Sequence, residues 1–207
     1  QILYDLTKTW DLRRYKDLEQ LLKIFAVYSS KPLNVQELCR KLNGNAQTIT
    51  SYLNALQSMY LIDALPAWKS KDYKIGSKTP EIFVTDSALM AHLLSIHSPD
   101  TLLSSPEKMA NEGGKLVESW AYTQLASEVD LHPLWSMHHF RNKNHQEIDF
   151  LIRSAEDRFL GIEIKAAESV NAEDFRHLRW FSQQVANFTG VVLYAGEELL
   201  SLGNGLF

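Results

Sequence analysis

Two apolar runs joined by a short polar turn, between Glu147 and Lys165, constrain the fold of this chain more than any other stretch. The segment reads EIDFLIRSAEDRFLGIEIK, and its SAEDR centre is rich in turn formers, which predicts a β-hairpin. Because alternate side chains of a strand share a face, Glu163 and Lys165 project together, and the hairpin brings Asp149 alongside them. The sequence therefore predicts a sheet in which these charged groups converge at one edge or bend.

Charged groups among Ile, Phe and Leu are costly to desolvate unless they pair or bind a metal ion. Two carboxylates alone would repel, and one would stay protonated. Mg²⁺ or Mn²⁺ relieves this conflict because hard cations take oxygen ligands. We therefore interpret Asp149 and Glu163 as metal ligands, with Lys165 orienting a water molecule or stabilising a phosphorane-like transition state. The alternative is an ion-pair network of Lys165 with either carboxylate, without catalysis.

Composition narrows the class of protein. The chain has 207 residues, 45% of them hydrophobic, which suits one large or two small domains. A single cysteine, Cys39, excludes a disulfide framework and a thiolate zinc cluster, and no apolar run is long enough to span a bilayer. We expect a soluble, cytoplasmic protein with no membrane partner. The chain lacks an initiator Met and begins in mid-pattern, so we expect a fragment whose upstream part is missing.

The first part of the chain carries the positive charge. Residues 1–80 have a net charge of +5 and residues 81–207 a net charge of −9, so a DNA-facing surface is expected mainly in the first part. There, three short amphipathic patterns, the last two beginning at the N-cap residues Asn34 and Asn45, predict a helix-turn-helix. A strand near 65–70, a lysine-bearing loop and a strand at 82–85 would complete a winged helix.

In a winged helix, the third helix would face the major groove of DNA and the loop lysines would meet phosphates. The residues assigned to DNA contact in this way are Gln47, Thr48, Thr50, Ser51, Asn54, Lys69, Lys71, Lys74 and Lys78. Winged helices also serve as protein–protein modules or intramolecular spacers, so the fold alone does not decide between these roles.

The second part of the chain is predicted to form a separate domain. A Pro/Ser-rich stretch at 98–109 reads as a linker, and we place the boundary near residue 105, which gives domains 1–105 and 106–207. A helix over 111–130 follows, with Glu118 beside its buried face. The residues predicted to form that buried face are Leu116, Val117, Trp120, Ala121, Gln124 and Leu125. The order helix, three strands, helix from about residue 172 and the all-apolar strand GVVLYAG predicts a mixed sheet flanked by helices, an α/β (α+β) fold.

This layout of helical glutamate, strand aspartate, Glu-x-Lys strand, helix and strand resembles the PD-(D/E)xK (restriction endonuclease-like) nuclease superfamily. By this resemblance, Glu118 looks like the helix carboxylate, Asp149 the metal-binding aspartate, Glu163 the second acidic ligand and Lys165 the lysine of the motif. Glu118 would complete the metal shell or orient a ligand. Ile148 replaces the proline that names the superfamily, a variation that many members share. The resemblance implies hydrolysis of DNA phosphodiesters with Mg²⁺ or Mn²⁺.

More narrowly, the segments KLVESW, HHFRNKNHQEIDFLI and GIEIKA, with the winged-helix-like stretch before them, resemble the C-terminal half of bacterial and archaeal AAA-type ATPases that carry domain of unknown function 4143. This resemblance implies an ATPase domain upstream, since no G-x-x-x-x-G-K-[ST] phosphate loop is present here. It also implies that Arg141 is a basic residue commonly found before the acidic strand, and we add it to the DNA contacts. The alternative function is a catalytically inactive DNA-binding, regulatory or scaffold module of such an ATPase.

Other polar residues near the predicted site receive weaker interpretations. His132, His138, His139 and His145 lie close by in sequence, but adjacent histidines on a strand point to opposite faces, so packing suits them better than metal ligation. A glutamine at position 183 or 184, on the helix after the motif, could contact the site, as glutamines do in some members of the superfamily.

Overall fold

The computed structural model describes residues 15–69 and 79–207, with the side chains of the first helix described from residue 18 onward. These residues form two β-sheets with helices packed around them, so the predicted mixed α/β (α+β) class is confirmed. In the same residues, no helix has the length and hydropathy needed to cross a membrane.

The first part of the chain alternates helices with a small antiparallel sheet. Its elements are α1 (Tyr15–Val27), β1 (Lys31–Pro32), α2 (Val35–Lys41), α3 (Ala46–Ser58), β2 (Ile62–Leu65) and β3 (Glu81–Val84). The strands pair in the order β1-β3-β2. Asn34 and Asn45 cap α2 and α3 as predicted, because their side chains accept hydrogen bonds from the backbone N–H groups of Glu37 and Thr48.

The winged-helix interpretation stays a prediction. Its wing loop, with Lys71, Lys74 and Lys78, falls on residues 70–78, outside the described part of the chain. The strand predicted near 65–70 is wrong in position, since β2 lies at Ile62–Leu65. Both ends of β2 are buried, and Pro66, which follows it, has no N–H to continue the hydrogen-bond ladder.

The second part of the chain builds a larger sheet. Its elements are α4 (Ser87–Leu93), α5 (Pro99–Leu103), α6 (Pro106–Lys108), a π-helical turn (Met109–Gly113), α7 (Gly114–Asp130), β4 (Ser136–Arg141), β5 (Glu147–Arg153), β6 (Phe159–Lys165), α8 (Arg176–Ser182) and β7 (Phe188–Tyr194). The strands lie in the order β4-β5-β6-β7, antiparallel except for the parallel pair β6–β7. The predicted hairpin is confirmed as β5–β6, with Phe150 opposite Ile162.

Several details of this second part differ from the prediction. The expected linker is instead helical, because Pro99 and Pro106 start short helices, a position where proline's missing N–H costs nothing. On α7, Trp120 is 54% exposed and Gln124 is also exposed. Strand β7 is not buried on both faces, because its Leu193 is exposed. The helix expected from about residue 172 begins at residue 176.

Aromatic side chains connect the two parts of the chain. Phe83 of β3 stacks on Tyr122 of α7 with ring centroids 4.4 Å apart, and it also contacts Phe150 of β5. A second connection runs along the backbone, where His139 N–H donates to the Pro66 carbonyl at 3.0 Å. These contacts bring β3 and the residue after β2 against the second part of the chain. The division into domains 1–105 and 106–207 remains a prediction.

Candidate active site

The hairpin β5–β6 positions the aspartate of the predicted motif. Asp149 lies one residue before the pair Phe150–Ile162, and its side chain reaches across to β6, where the Ile164 N–H donates to Oδ2 at 2.8 Å. This hydrogen bond orients one carboxylate oxygen and leaves the other for a second partner.

Glu163 of β6 is the most buried carboxylate of the site, with a side chain 5% exposed. Its Oε2 lies 4.0 Å from Nζ of Lys165, and its Oε1 lies 3.7 Å from Nδ1 of His177, which is beyond hydrogen-bonding distance. Within the described residues, Oε1 has no hydrogen-bond partner. Buried carboxylate oxygens without a partner are rare, so this atom points to a further ligand.

Glu118 reaches the same place from α7. Its carboxyl has a polar contact with the side chain of Ser30, and the charges of Lys165, Glu163 and Glu147 all act on it. The four residues predicted to act together are thus brought into one electrostatic cluster from α7, β5 and β6. Their assignment as catalytic residues and metal ligands stays a prediction.

Burial raises the pKa values of these carboxyl groups, and repulsion between them adds to the effect. Burial raises the pKa of Asp149 well above its usual range, the charges of Glu163 and Glu118 raise it further, and the Ile164 N–H and Lys165 oppose them. Burial also raises the pKa of Glu163, against the effects of His177 and Lys165. For Glu118, burial again raises the pKa, opposed by the contact with Ser30 and by the charge of Lys165. A cation bound among them would oppose these shifts, because positive charge favours the ionised form of a carboxyl group.

Glu81 and His139 form a buried pair beside this cluster that the sequence did not predict. The imidazole Nε2 lies 3.0 Å from the Thr79 carbonyl, so this nitrogen carries the proton and Nδ1 faces Glu81 Oε1 at 3.5 Å. Burial raises the pKa of Glu81 to about 8 and lowers that of His139 to about 4. Both are neutral at pH 7, and the Glu81 hydroxyl can donate to Nδ1. The only local signal was an acidic residue opening an otherwise apolar strand.

The residues predicted to contact DNA lie in three places. On α3, Gln47, Thr50, Ser51 and Asn54 are exposed and Thr48 is half-buried, while Lys69 is exposed beyond β2; Lys71, Lys74 and Lys78 lie outside the described residues. At the edge of the carboxylate cluster, Arg141 NH2 forms an ion pair with Glu147 Oε2 at 2.8 Å. DNA contact by any of them stays a prediction.

The sequence predicts three metal ligands, Asp149, Glu163 and Glu118. Across the described parts of the chain, no three Asp, Glu, His or Cys side chains stand together as ligands for one ion. Asp149 and Glu163 remain the neighbouring pair, and a role for Glu118 as third ligand is a prediction. Of the nearby histidines, His132 stacks on Trp135 with ring centroids 4.1 Å apart. His177 of α8, which the sequence analysis missed, is the histidine that borders Glu163.

Comparison with protein families divides the chain into two matched segments. Residues 113–207 match the model of a domain of unknown function, DUF4143, and residues 2–100 match the model of another domain of unknown function, DUF8612. The first match confirms the predicted similarity to DUF4143 over residues 113–207, while the resemblances to an AAA-type ATPase and to the nuclease superfamily stay predictions.

Two curated mycobacterial relatives are named only as uncharacterized proteins. The Mycobacterium bovis and Mycobacterium tuberculosis proteins are each 25% identical to this chain over 181 residues, which covers 87% of this chain and 38% of the relative. The chain therefore spans well under half the length of these relatives.

Among solved structures, a chain from an assembly of Thermococcus gammatolerans McrB AAA+ hexamers with bound McrC is similar at 11% identity. The similarity covers 86% of this chain and 63% of that chain, with a TM-score of 0.32.

Proposed function

We propose that this chain hydrolyses phosphodiester bonds of DNA with a divalent metal ion, as part of a longer protein that contains an ATPase. The observation that carries the proposal is the unpartnered Oε1 of Glu163 in the described residues, buried next to the second raised-pKa carboxyl of Asp149. Such a pair is unfavourable as two anions and favourable around a cation.

The donor set fits Mg²⁺ or Mn²⁺. These ions prefer oxygen ligands, and Mg²⁺ commonly keeps several waters while bound by one or two carboxylates. Asp149 and Glu163 would hold the ion, and Glu118, on which the charge of Glu163 acts, would orient a ligand of that ion. When bound, the ion supplies positive charge that polarises a phosphate and lowers the pKa of a water molecule.

The protein groups around this pair have separable roles. The Ile164 N–H fixes the orientation of the Asp149 carboxylate. Lys165, at the end of β6, has a side chain 37% exposed, so its ammonium group borders both Glu163 and solvent. From there it can orient the attacking water or stabilise charge on the scissile phosphate.

Association with an ATPase is the second part of the proposal. It is supported by the resemblance of the C-terminal motifs to DUF4143-bearing ATPases and by the match of residues 113–207 to that domain. The curated relatives extend well beyond the part that this chain matches, which leaves room for an ATPase domain in such proteins.

Nuclease activity is tested by incubating the purified chain with plasmid, branched and single-stranded DNA in Mg²⁺ or Mn²⁺. Lys165→Ala should slow cleavage by about 10²–10³-fold, the usual loss when one group that stabilises developing charge is removed. Arg158→Ala is the matched control, because this exposed cation lies in the turn before the opposite end of β6. Cleavage that is unchanged in Lys165→Ala, or absent under all conditions, would refute the proposal.

A catalytically inactive DNA-binding or regulatory module is the second candidate. The 4.0 Å separation of Lys165 and Glu163 also fits a retained ion-pair network, and α3 presents an exposed polar face. This alternative predicts salt-dependent duplex binding that Lys71→Ala and Lys74→Ala weaken, with no cleavage by any variant.

A further inference from the structure

Two lysines are held by the side chain of Tyr28, which follows α1 and is 38% exposed. Lys41, at the end of α2, donates from Nζ to the Tyr28 hydroxyl at 2.6 Å and lies 4.1 Å from the ring centroid. Lys31 of β1 lies 5.7 Å from the same centroid. Two ammonium groups around one ring are held in place by cation–π attraction.

A third lysine joins this group to the candidate active site. Lys115 lies on α7, three residues before Glu118, a spacing that places both on the same side of the helix. Burial lowers the pKa of Lys115, and the positive charge of Lys31 lowers it further, against Glu112, Glu118 and Tyr28. The positive charges of Lys31 and Lys115 therefore repel each other, which indicates that both lysines belong to one region of positive charge.

Lysine side chains that repel one another are stabilised by a nearby anion. Lys41 has Glu37 at 3.0 Å, but neither Lys31 nor Lys115 has a carboxylate within ion-pair distance in the parts of the chain that the structure describes. The carboxylate cluster begins immediately beside them, because Ser30, which precedes Lys31, contacts Glu118. Positive charge thus borders a site whose own half of the chain has a net charge of −9.

We propose that Lys31, Lys41 and Lys115 form a phosphate-binding strip that guides a DNA strand into the candidate active site. This inference rests on the proposed nuclease function and names the surface that holds its substrate. Ammonium contacts to phosphates position the strand without reading its sequence. Tyr28 is a positioning residue, since it holds Lys31 and Lys41 in place. The strip also explains how the acidic second part of the chain could bind DNA, because lysines from both parts of the chain border the candidate active site.

The test measures binding of a fluorescent DNA duplex by anisotropy across a salt series, in EDTA so that no cleavage occurs. Each lysine that contacts a phosphate contributes about 0.9 to the slope of log K against log salt concentration. Lys31→Ala and Lys115→Ala should each reduce the magnitude of that negative slope by about 0.9. The triple alanine variant should reduce it by about 2 to 3. Arginine at the same positions should preserve the slope, and Arg158→Ala should leave it unchanged despite removing one positive charge.

Tyr28 provides an independent arm of the test. Tyr28→Leu removes both the ring and the hydroxyl and should weaken binding, whereas Tyr28→Phe keeps the ring and should retain most of it. Equal melting temperatures of the variants establish that the fold is intact. Because each single variant is assayed alone, the test does not depend on the triple variant folding.

A slope that is the same in wild-type and lysine variants would overturn the strip. This outcome is distinct from failure of the nuclease proposal, because binding is measured without metal. A lowered slope in a chain that never cleaves DNA supports the strip and refutes the nuclease. Metal-dependent cleavage by a chain whose lysine variants keep the wild-type slope supports the nuclease and refutes the strip.

Discussion

Replacing Glu81 with glutamine removes one buried titration from this protein. The Glu81 side chain is only 7% exposed and faces Nδ1 of His139. Burial raises its pKa from 4.5 to about 8, so the folded state keeps a proton that the unfolded chain releases. Glutamine has the same shape, cannot ionise and retains an N–H donor for Nδ1. The variant therefore isolates the free energy of ionising Glu81.

The sign of the pH dependence of stability follows from whether the folded or the unfolded state holds the proton on Glu81. Between pH 4.5 and about 8, the folded state binds one more proton at Glu81 than the unfolded state does, so stability falls as pH rises. His139 acts in the opposite direction below pH 6.5, because burial lowers its pKa from 6.5 to about 4. From about one pH unit above 6.5, His139 is neutral in both states, and within this pair Glu81 alone contributes.

At 1.36 kcal/mol per pH unit, Glu81 should cost the wild-type protein about 2 kcal/mol of unfolding free energy between about pH 6.5 and 8. This is a large share of the 5–15 kcal/mol or so typical of folded domains. The Glu81→Gln variant is spared this loss. The difference in stability between variant and wild type should therefore grow by about 2 kcal/mol across that interval.

Urea unfolding followed by tryptophan fluorescence measures both proteins across this pH range. Glu156→Gln is the matched control, because Glu156 is 69% exposed and its removal should leave the pH dependence as in wild type. A stability difference between Glu81→Gln and wild type that stays constant with pH would refute the argument that Glu81 is protonated in the folded state.

Other substitutions test the site, the sheet and the caps. Asp149→Asn should stabilise the metal-free protein at pH 8, because the raised pKa of Asp149 means that ionising this group in the folded state costs free energy. The same variant should bind Mn²⁺ more weakly by calorimetry. Loss of stability in the variant would contradict the pKa argument. Gly161→Ala should cost about 1–3 kcal/mol in urea unfolding, because the new Cβ would lie 2.6 Å from the Phe188 ring, and an unchanged midpoint would show that the ring moves freely. Asn45→Ala should cost about 1 kcal/mol by losing the cap to Thr48, and the same assay yielding no loss would refute that role.

Local patterns in the sequence predicted the elements that local physics controls. The caps at Asn34 and Asn45 need only a side chain and a backbone N–H three residues away, and both were predicted correctly. The β5–β6 hairpin likewise follows from period-two alternation and a short turn, and it brings Asp149 beside β6. These local rules are sufficient to locate the acidic strand and the Glu-x-Lys strand from the amino-acid sequence.

Which side chains of α7 are buried depends on contacts with residues far away in the sequence. Trp120 was predicted inside and is exposed, because α7 packs through Ser119, Ala121 and Tyr122 against strands from both parts of the chain. Its apolar residues do not form a single stripe, so the helical pattern alone could not select the buried face.

The charged hairpin and the helical glutamate of the candidate site were present in the amino-acid sequence itself. Only the tertiary structure brought Glu81 beside His139, across 58 residues, and His177 beside Glu163. Only it brought Lys115 under the influence of the charges of Lys31 and Glu118. The physical reason is range, because hydrogen bonds and side-chain periodicity act over a few residues, whereas desolvation and Coulomb interactions depend on which distant groups the fold encloses together.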